Sequence, residues 1–223
     1  MQDAALMSRR RDGDSADYFT NHARRDRFPW SLYHRPISQC IAGIVRERGP
    51  SPSVMIVGCG LEPYVDGARE ISCVACDVDE RAIEACKRAY PRAADRLGVC
   101  PSPYELPGGP PFEGPFDVIV AKDVVEHLTE PARWARVLAA RLAAGGELVL
   151  STPNYGRGST LDVLERTVLE TVARRDGYSR RHIHPSRFDA GLLGALDLGS
   201  GVRLVEVVTT WNRWALVGRW RRS

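Results

Sequence analysis

Short apolar runs rich in valine and isoleucine alternate with stretches of helical spacing along most of this chain. Such runs are typical of strands covered on both faces, and their alternation with helices predicts an α/β fold with a parallel sheet. Five runs predict the first five strands, over residues 53–57, 71–76, roughly 96–100, 116–121 and 147–151.

Two stretches between these strands predict helices. Residues 79–90 begin with Asp79, a favourable N-cap residue. Residues 132–144 place apolar side chains on one helical face, and Gly145-Gly146 are predicted to end that helix. The apolar positions in this second stretch are Trp134, Val137, Leu138 and Leu142.

The ends of the chain carry different patterns. Residues 1–14 are polar and are predicted to form a disordered tail, whereas residues 15–50 contain aromatics and an amphipathic helix and are predicted to form lid helices. Residues 154–184 predict an insertion over the carboxyl edge of the sheet. The last two apolar runs flank Thr-Thr-Trp-Asn and predict an antiparallel hairpin. Residues 15–223 are therefore interpreted as a single domain.

Composition narrows the class of protein. The chain has 223 residues, 43% hydrophobic, which suits one domain with a sizeable core. A net charge of +3 gives no general argument for binding nucleic acid or a membrane. We expect a cytoplasmic protein without a membrane span, because the N-terminus lacks an apolar signal region and no 18-residue apolar run follows. The six cysteines are expected to be free thiols, since one Cys-x-x-Cys has no second pair to complete a zinc site.

Ligands of open α/β sheets bind beyond the carboxyl ends of the strands, so the residues following each strand form the candidate site. Strand one is followed by Gly58-Cys59-Gly60, where glycines let the backbone lie against a ligand. Strand two ends in Asp77, whose carboxylate can accept hydrogen bonds from two ribose hydroxyls. Pro63 stands where the dinucleotide fingerprint has its third glycine, which disfavours a nicotinamide enzyme.

The run VIVAKDVVEHL sets two carboxylates and an imidazole just after strand four. If a helix starts there, Asp123, Glu126 and His127 share one face, because they are spaced i, i+3 and i+4. Such an oxygen and nitrogen ligand set suits Mg²⁺ or Mn²⁺. The alternative is that the pair Glu126 and His127 only shapes a pocket.

Together the motifs VGCG, CDVDERAIEAC, FDVIVAKDVVEHL and GGELVLSTPN resemble the class I S-adenosylmethionine-dependent methyltransferases. The resemblance is strongest over residues 50–155 and is nearest to the ubiquinone-biosynthesis O-methyltransferase branch. It implies a Rossmann-like, doubly wound, mostly parallel seven-stranded sheet with an antiparallel C-terminal hairpin strand. It also implies S-adenosylmethionine as the cofactor.

The resemblance assigns roles to the residues beyond strands one and two. Gly58, Cys59 and Gly60 would lie against the methionine part of the cofactor. Asp77 would hold the ribose, and Val78 would flank the adenine.

Other positions keep or break the family pattern. Ser102 stands where an aspartate usually contacts the adenine amino group, and Lys122 begins the loop under the methionine part. Ile56 replaces a common acidic residue, and Glu62 replaces the usual third glycine.

Metal-dependent relatives resemble this chain in a Glu-x-x-Glu-His run, whose first acid is here Asp123. RNA-methylating relatives add a distant histidine before a phenylalanine, for which His182 and His184 precede Phe188. The resemblance therefore implies a divalent cation held by Asp123, Glu126, His127 and His184. His184 could instead simply precede the next helix.

The favoured hypothesis is an O-methyltransferase for a small-molecule acceptor, with Asp123 and His127 as catalytic residues. His127 would act as the general base in the absence of metal. Two alternatives stay open: an RNA 2′-O-methyltransferase, opposed by the small net charge, and a non-catalytic scaffold. Trp30, Tyr33, Tyr155 and Tyr178 are candidates for an aromatic acceptor pocket or for packing of the insertion. Whether the chain forms a homodimer is left open.

Overall fold

The computed structural model describes residue 28 and residues 31–64, 73–164 and 184–223. The predicted tail over 1–14, the aromatic residues Trp30 and Tyr178, and His182 lie outside these residues, as does most of the predicted insertion.

A seven-stranded sheet organises the described part of the chain, in the order β3-β2-β1-β4-β5-β7-β6. Strands β1 to β5 are parallel, and β7 pairs antiparallel with both β5 and β6. The α/β architecture and the antiparallel C-terminal hairpin are thus confirmed. The strands are β1 Val54–Val57, β2 Cys73–Asp77, β3 Leu97–Val99, β4 Phe116–Lys122, β5 Leu142–Pro153, β6 Val202–Thr209 and β7 Ala215–Arg222.

Five α-helices and two short 3-10 helices accompany the sheet in the described ranges. The α-helices are α1 Ser31–Glu47, α2 Glu80–Ala89, α3 Pro131–Ala139, α4 Thr160–Leu164 and α5 Ala190–Gly194. The 3-10 helices are Pro91–Arg96 and Val125–His127. The predicted N-cap of α2 is confirmed, because the Asp79 side chain accepts a hydrogen bond from the Arg81 backbone N–H.

The predicted end of α3 is wrong. The helix stops at Ala139, and Leu142 already belongs to β5, where it pairs with Phe116. The apolar stripe continued to Leu142 by coincidence, since that side chain is buried from a strand rather than a helix. Gly146 lies inside β5, where a Cβ would stand 2.7 Å from the Phe116 carbonyl oxygen.

Two apolar layers cover the faces of the sheet. On one face α1 packs Ile37, Ile41 and Val45 against strand residues that include Ile56 and Val120. The opposite face of the sheet packs against α3 and the segment around α5. The members of this layer include Trp134, Leu138, Phe188, Leu193, Met55, Ile119, Leu148 and Trp220. The described helix of the predicted lid, over residues 31–47, therefore packs on a face of the sheet.

The six cysteines are free thiols, as predicted, and five of them are buried. Cys73 and Cys76 belong to different apolar layers, because alternate residues of β2 face opposite sides. In the ranges that the structure describes, no helix combines the length and apolar character needed to cross a membrane.

An ion network ties the C-terminal strand into the sheet. Glu147 of β5 is fully buried, and its carboxylate accepts hydrogen bonds from Arg219 and Arg221 of β7, each with an Nε distance of 2.7 Å. Burial alone would raise the pKa of the Glu147 carboxyl, but the two guanidinium groups hold that pKa below its ordinary value. These C-terminal arginines therefore serve the fold.

Candidate active site

The candidate site lies where β2, β1 and β4 end side by side. The sheet order brings the residues after Val57, Asp77 and Lys122 to one edge, although they are far apart in the sequence. This is the edge at which open α/β sheets bind ligands.

The loop after β1 is a tight turn held by β2. Gly58 and Gly60 have φ angles of 70° and 53°, a region that favours glycine. The Gly58 backbone N–H donates to the Cys76 carbonyl at 2.8 Å. A Cβ on Gly58 would stand 2.4 Å from a methyl carbon of Val124. The sequence therefore needs glycine here, because the loops after β1 and β4 touch.

Asp77 joins this loop to β2. Its side chain is almost fully buried, and its two oxygens accept hydrogen bonds from the Gly60 N–H at 2.7 Å and the Asp79 N–H at 2.9 Å. Burial raises the pKa of this carboxyl, although the backbone N–H groups oppose the rise. Each carboxylate oxygen has a second lone pair, so Asp77 retains the capacity to accept ribose hydroxyls.

The neighbours of Asp77 provide a surface for a flat apolar group. Val78 is 40% exposed, which is unusual for an apolar residue at the end of a buried strand. The next strand approaches from the other side, because the Cys100 N–H donates to the Asp77 carbonyl at 2.8 Å. Ser102 follows in that loop and accepts a hydrogen bond from the Tyr104 N–H at 3.3 Å. These placements fit the adenosine roles that the resemblance implies.

Lys122 ends β4 on the other side of the glycine loop. Its Nζ donates to the Ser38 hydroxyl at 2.8 Å and lies 3.5 Å from a carboxylate oxygen of Glu62. The predicted cofactor residues from Gly58 to Lys122 thus occupy one continuous edge of the sheet.

Asp123 is placed differently from the prediction. It has a φ angle of 57°, so the chain turns sharply there and the following 3-10 helix starts only at Val125. Its Oδ1 accepts hydrogen bonds from the Tyr33 hydroxyl at 3.1 Å and the Ser151 hydroxyl at 3.0 Å. Its Oδ2 lies 3.7 Å from Nδ1 of His34. The expected helical face shared by Asp123, Glu126 and His127 is therefore wrong.

Glu126, His127 and His184 do come together. One ligand atom of each lies within 4.8 Å of the others, and Asp123 is outside this cluster. The two imidazole rings are 4.8 Å apart, and the Glu126 side chain is almost fully buried. Nδ1 of His184 shares a hydrogen bond with the Tyr155 hydroxyl. Such a bond orients an imidazole and leaves Nε2 for another partner.

Backbone contacts explain how His184 reaches residues 126–128. The Ser186 N–H donates to the Glu126 carbonyl at 3.2 Å, and the Ser186 hydroxyl donates to the Leu128 carbonyl at 2.6 Å. These bonds tie residues 184–186 to the loop after β4, so a histidine 57 positions from His127 lies beside it.

Tyr33 is the site residue whose role the sequence did not indicate. It was a candidate for an aromatic pocket, but its hydroxyl instead anchors Asp123. Burial raises the pKa of Tyr33, and the nearby Asp123 and Glu126 carboxylates add to the rise, so the phenol stays protonated. The first turn of α1 thus contributes both Tyr33 and His34 to the site.

Comparisons with known proteins find similar methyltransferases. Residues 55–148 match the methyltransferase domain family. Over 133 residues the chain is 34% identical to the "Probable S-adenosylmethionine-dependent methyltransferase" of Mycobacterium tuberculosis, a match that covers 56% of this chain and 43% of that protein. Over these residues the chain is similar to S-adenosylmethionine-dependent methyltransferases. It spans less than half the length of this curated relative.

Two further similarities concern a short segment and the fold of this chain. A segment of 41 residues is 44% identical to the ubiquinone biosynthesis O-methyltransferase of a Caulobacter species, covering 18% of this chain and 16% of that one. The magnesium protoporphyrin IX methyltransferase of Synechocystis, solved with bound SAH, has a TM-score of 0.66 at 15% identity. That match covers 96% of this chain and 98% of the other, and it shows the shared fold.

The name of the curated relative specifies dependence on S-adenosylmethionine. The residues of the candidate site fit S-adenosylmethionine, because Asp77 offers buried acceptor oxygens beside the exposed apolar Val78.

Replacement of Gly58 by alanine is expected to destabilise the loop and the protein. A side chain at positive φ costs about 1–2 kcal/mol, and the clash with Val124 adds to that cost. Thermal unfolding should show a lower midpoint for Gly58→Ala. Gly43→Ala is the matched control: Gly43 lies inside α1 with no atom near the added Cβ, so alanine should stabilise by up to about 1 kcal/mol. Equal effects of the two changes would contradict the role given to Gly58.

Proposed function

We propose that the protein transfers the methyl group of S-adenosylmethionine to a hydroxyl of a small-molecule acceptor. The observation that carries this proposal is the position of the Glu126, His127 and His184 cluster. It lies just beyond β4, beside the loop that packs against the glycine turn after β1. An imidazole that can accept a proton thus lies next to the edge at which open α/β sheets bind ligands.

The bound cofactor supplies a methyl group on a sulfonium, which any well-placed nucleophile can take. A hydroxyl acceptor must also lose its proton, so the chain has to provide a base or a Lewis acid. His127 is the proposed base, since a neutral imidazole accepts a proton near pH 7. Asp123, held by Tyr33 and Ser151, is proposed to fix the wall of the acceptor pocket formed by α1.

We also propose that Glu126, His127 and His184 bind a divalent cation. Two opposed ligands with bonds of about 2.1 Å are about 4.2 Å apart, close to the 4.8 Å limit of this cluster. One carboxylate with two imidazoles favours Mn²⁺ or another transition ion over Mg²⁺. A cation there would orient the acceptor hydroxyl and lower its pKa, and His127 would then serve as ligand in place of base.

The RNA 2′-O-methyltransferase alternative is supported by the histidine cluster but opposed by the charges. Two of the arginines near the C-terminus, Arg219 and Arg221, are bound to the buried Glu147. They are therefore not available to contact phosphates without breaking the sheet's own ion network. The scaffold alternative predicts no binding of S-adenosylmethionine.

A two-step experiment tests the proposal. Calorimetry with S-adenosylmethionine, with NAD as the control, should show saturable binding of the first alone. Transfer of a radiolabelled methyl group should then be screened over hydroxylated metabolites, their amine analogues and RNA. Transfer to a hydroxylated small molecule is the expected result. Methylation of the amines alone would overturn the hydroxyl acceptor, and the absence of S-adenosylmethionine binding would favour the scaffold.

A further inference from the structure

An ion pair lies beside the glycine loop, and the proposed methyl transfer gives it no role. Glu62 follows Gly60 by two positions, and Lys122 is the last residue of β4. The Lys122 Nζ is 3.5 Å from the Glu62 carboxylate, with side-chain exposures of 16% and 36%. The Ser38 hydroxyl of α1 accepts a hydrogen bond from the same Nζ and fixes its position.

The position of this pair on the sheet matches one end of the cofactor. Asp77 and Val78 at the end of β2 fit the adenosine. The strand order runs β2, β1, β4, with neighbouring strands about 4.8 Å apart. A ligand anchored by its adenosine at β2 and lying across the loop after β1 therefore has its other end near β4. That end of S-adenosylmethionine is an amino acid, with one ammonium and one carboxylate.

A zwitterion is best recognised by one group of each sign. The strand itself offers no acceptor for the ammonium, because Ile56 is buried in the apolar layer under α1. The carboxylate beside Lys122 is that of Glu62, on the loop after β1.

We infer that Glu62 accepts hydrogen bonds from the cofactor's α-ammonium and that Lys122 binds its α-carboxylate. This inference rests on the cofactor assignment above. In the free protein the two side chains satisfy each other across 3.5 Å, and Ser38 keeps the ammonium of Lys122 in place. When the ligand binds, its ammonium pairs with Glu62 and its carboxylate pairs with Lys122.

A simpler role is a latch that only holds the glycine loop against β4. The two roles differ in which ligands they affect. A latch shapes the whole loop, so its loss should weaken every ligand of the site alike. A zwitterion site acts only on ligands that carry the amino acid group.

Calorimetry with three probes separates these roles. S-adenosylhomocysteine carries both charges, decarboxylated S-adenosylmethionine lacks the carboxylate, and methylthioadenosine lacks the amino acid group altogether. A hydrogen bond to a charged group is worth about 1.5–3 kcal/mol. Glu62→Gln and Lys122→Met should therefore each lower the affinity for S-adenosylhomocysteine by about ten- to hundredfold. Methylthioadenosine affinity should change less than about threefold, within the scatter of such effects.

Decarboxylated S-adenosylmethionine distinguishes the role of Glu62 from that of Lys122. Glu62→Gln should weaken its binding, because the ammonium remains, whereas Lys122→Met should leave it nearly unchanged. The matched controls are Glu84→Gln and Lys87→Met. These two residues form the chain's other lysine ion pair, at 3.0 Å on α2.

Each outcome decides the question. Equal losses for all three probes would establish a latch and overturn the zwitterion site, as would no loss for S-adenosylhomocysteine. Wild-type protein that binds none of the probes would overturn the cofactor assignment and this inference with it. Wild-type binding with unaffected variants would overturn the inference alone.

Discussion

Replacement of Asp77 by asparagine is expected to weaken S-adenosylmethionine binding by about tenfold to hundredfold. The buried carboxylate is the acceptor that fits the ribose hydroxyls, and hydrogen bonds to a charged group contribute about 1.5–3 kcal/mol. In the wild-type protein the Gly60 and Asp79 N–H groups donate to the two carboxylate oxygens. The asparagine amide keeps only one acceptor oxygen. Its NH₂ group must then face either one of these N–H donors or the ligand's hydroxyls. Calorimetry on the two proteins measures the loss.

Asp79→Asn is the matched control for this substitution. It makes the same chemical change two positions away, at the N-cap of α2, where asparagine is as favourable as aspartate. Its affinity for S-adenosylmethionine should stay within about threefold of wild type. If Asp77→Asn also bound the cofactor normally, Asp77 would be only a support for the glycine loop.

The pH dependence of binding should identify the same carboxyl. Burial raises the Asp77 pKa above its ordinary value of 3.8, although backbone N–H groups oppose the rise. Since the ionised form accepts hydrogen bonds at both oxygens, affinity should be full above the raised pKa and fall as the pH drops through it. The loss should begin at a higher pH than for an unshifted carboxyl, and it should be absent in Asp77→Asn.

The strands and the cofactor loop could be predicted because local pattern determines them. Val- and Ile-rich runs are buried on both faces of a parallel sheet, and a tight turn after such a strand requires glycine at 58 and 60. The carboxyl ends of parallel strands then meet, whatever the lengths between them. The α/β fold and the grouping of Gly58, Asp77 and Lys122 at one edge followed from these rules.

The conformation of Asp123 could not be predicted from its own neighbourhood. Spacing alone favoured a helix, but hydrogen bonds from Tyr33, 90 positions earlier, and from Ser151 of β5 hold it at a φ of 57°. Contacts between distant segments thus override local preference there. The boundary error at Leu142 has the opposite origin, because a buried strand residue happened to continue a helical stripe.

The second large effect concerns Glu126 and His184, whose substitution is expected to abolish binding of Mn²⁺. Loss of a partner that only orients a ligand costs about ten- to hundredfold in metal affinity, and loss of a ligand itself should cost at least as much, so Glu126→Gln and His184→Ala should each lower Mn²⁺ affinity at least about hundredfold. Tyr155→Phe removes the hydrogen bond that orients His184 and should cost about ten- to hundredfold. Titration with Mn²⁺ measures these affinities. Retained binding of S-adenosylhomocysteine shows that each variant is folded.

Asp123→Asn provides the control that the structure itself suggests. Its carboxylate is held by Tyr33 and Ser151 and lies outside the cluster, so Mn²⁺ affinity should remain within about threefold of wild type. A large loss in this variant would mean that Asp123 turns toward the ion and that the ligand set expected from the sequence is correct.

If wild-type protein binds no Mn²⁺ and methyl transfer persists in EDTA, the cluster is not a metal site. Activity would then depend on His127 as the base. In that case His127→Ala should lower the rate by about 10²–10⁴, as for other general bases, while His184→Ala should have a smaller effect. The two variants therefore separate the roles: a cation requires both histidines, whereas proton transfer requires only the one beside Glu126.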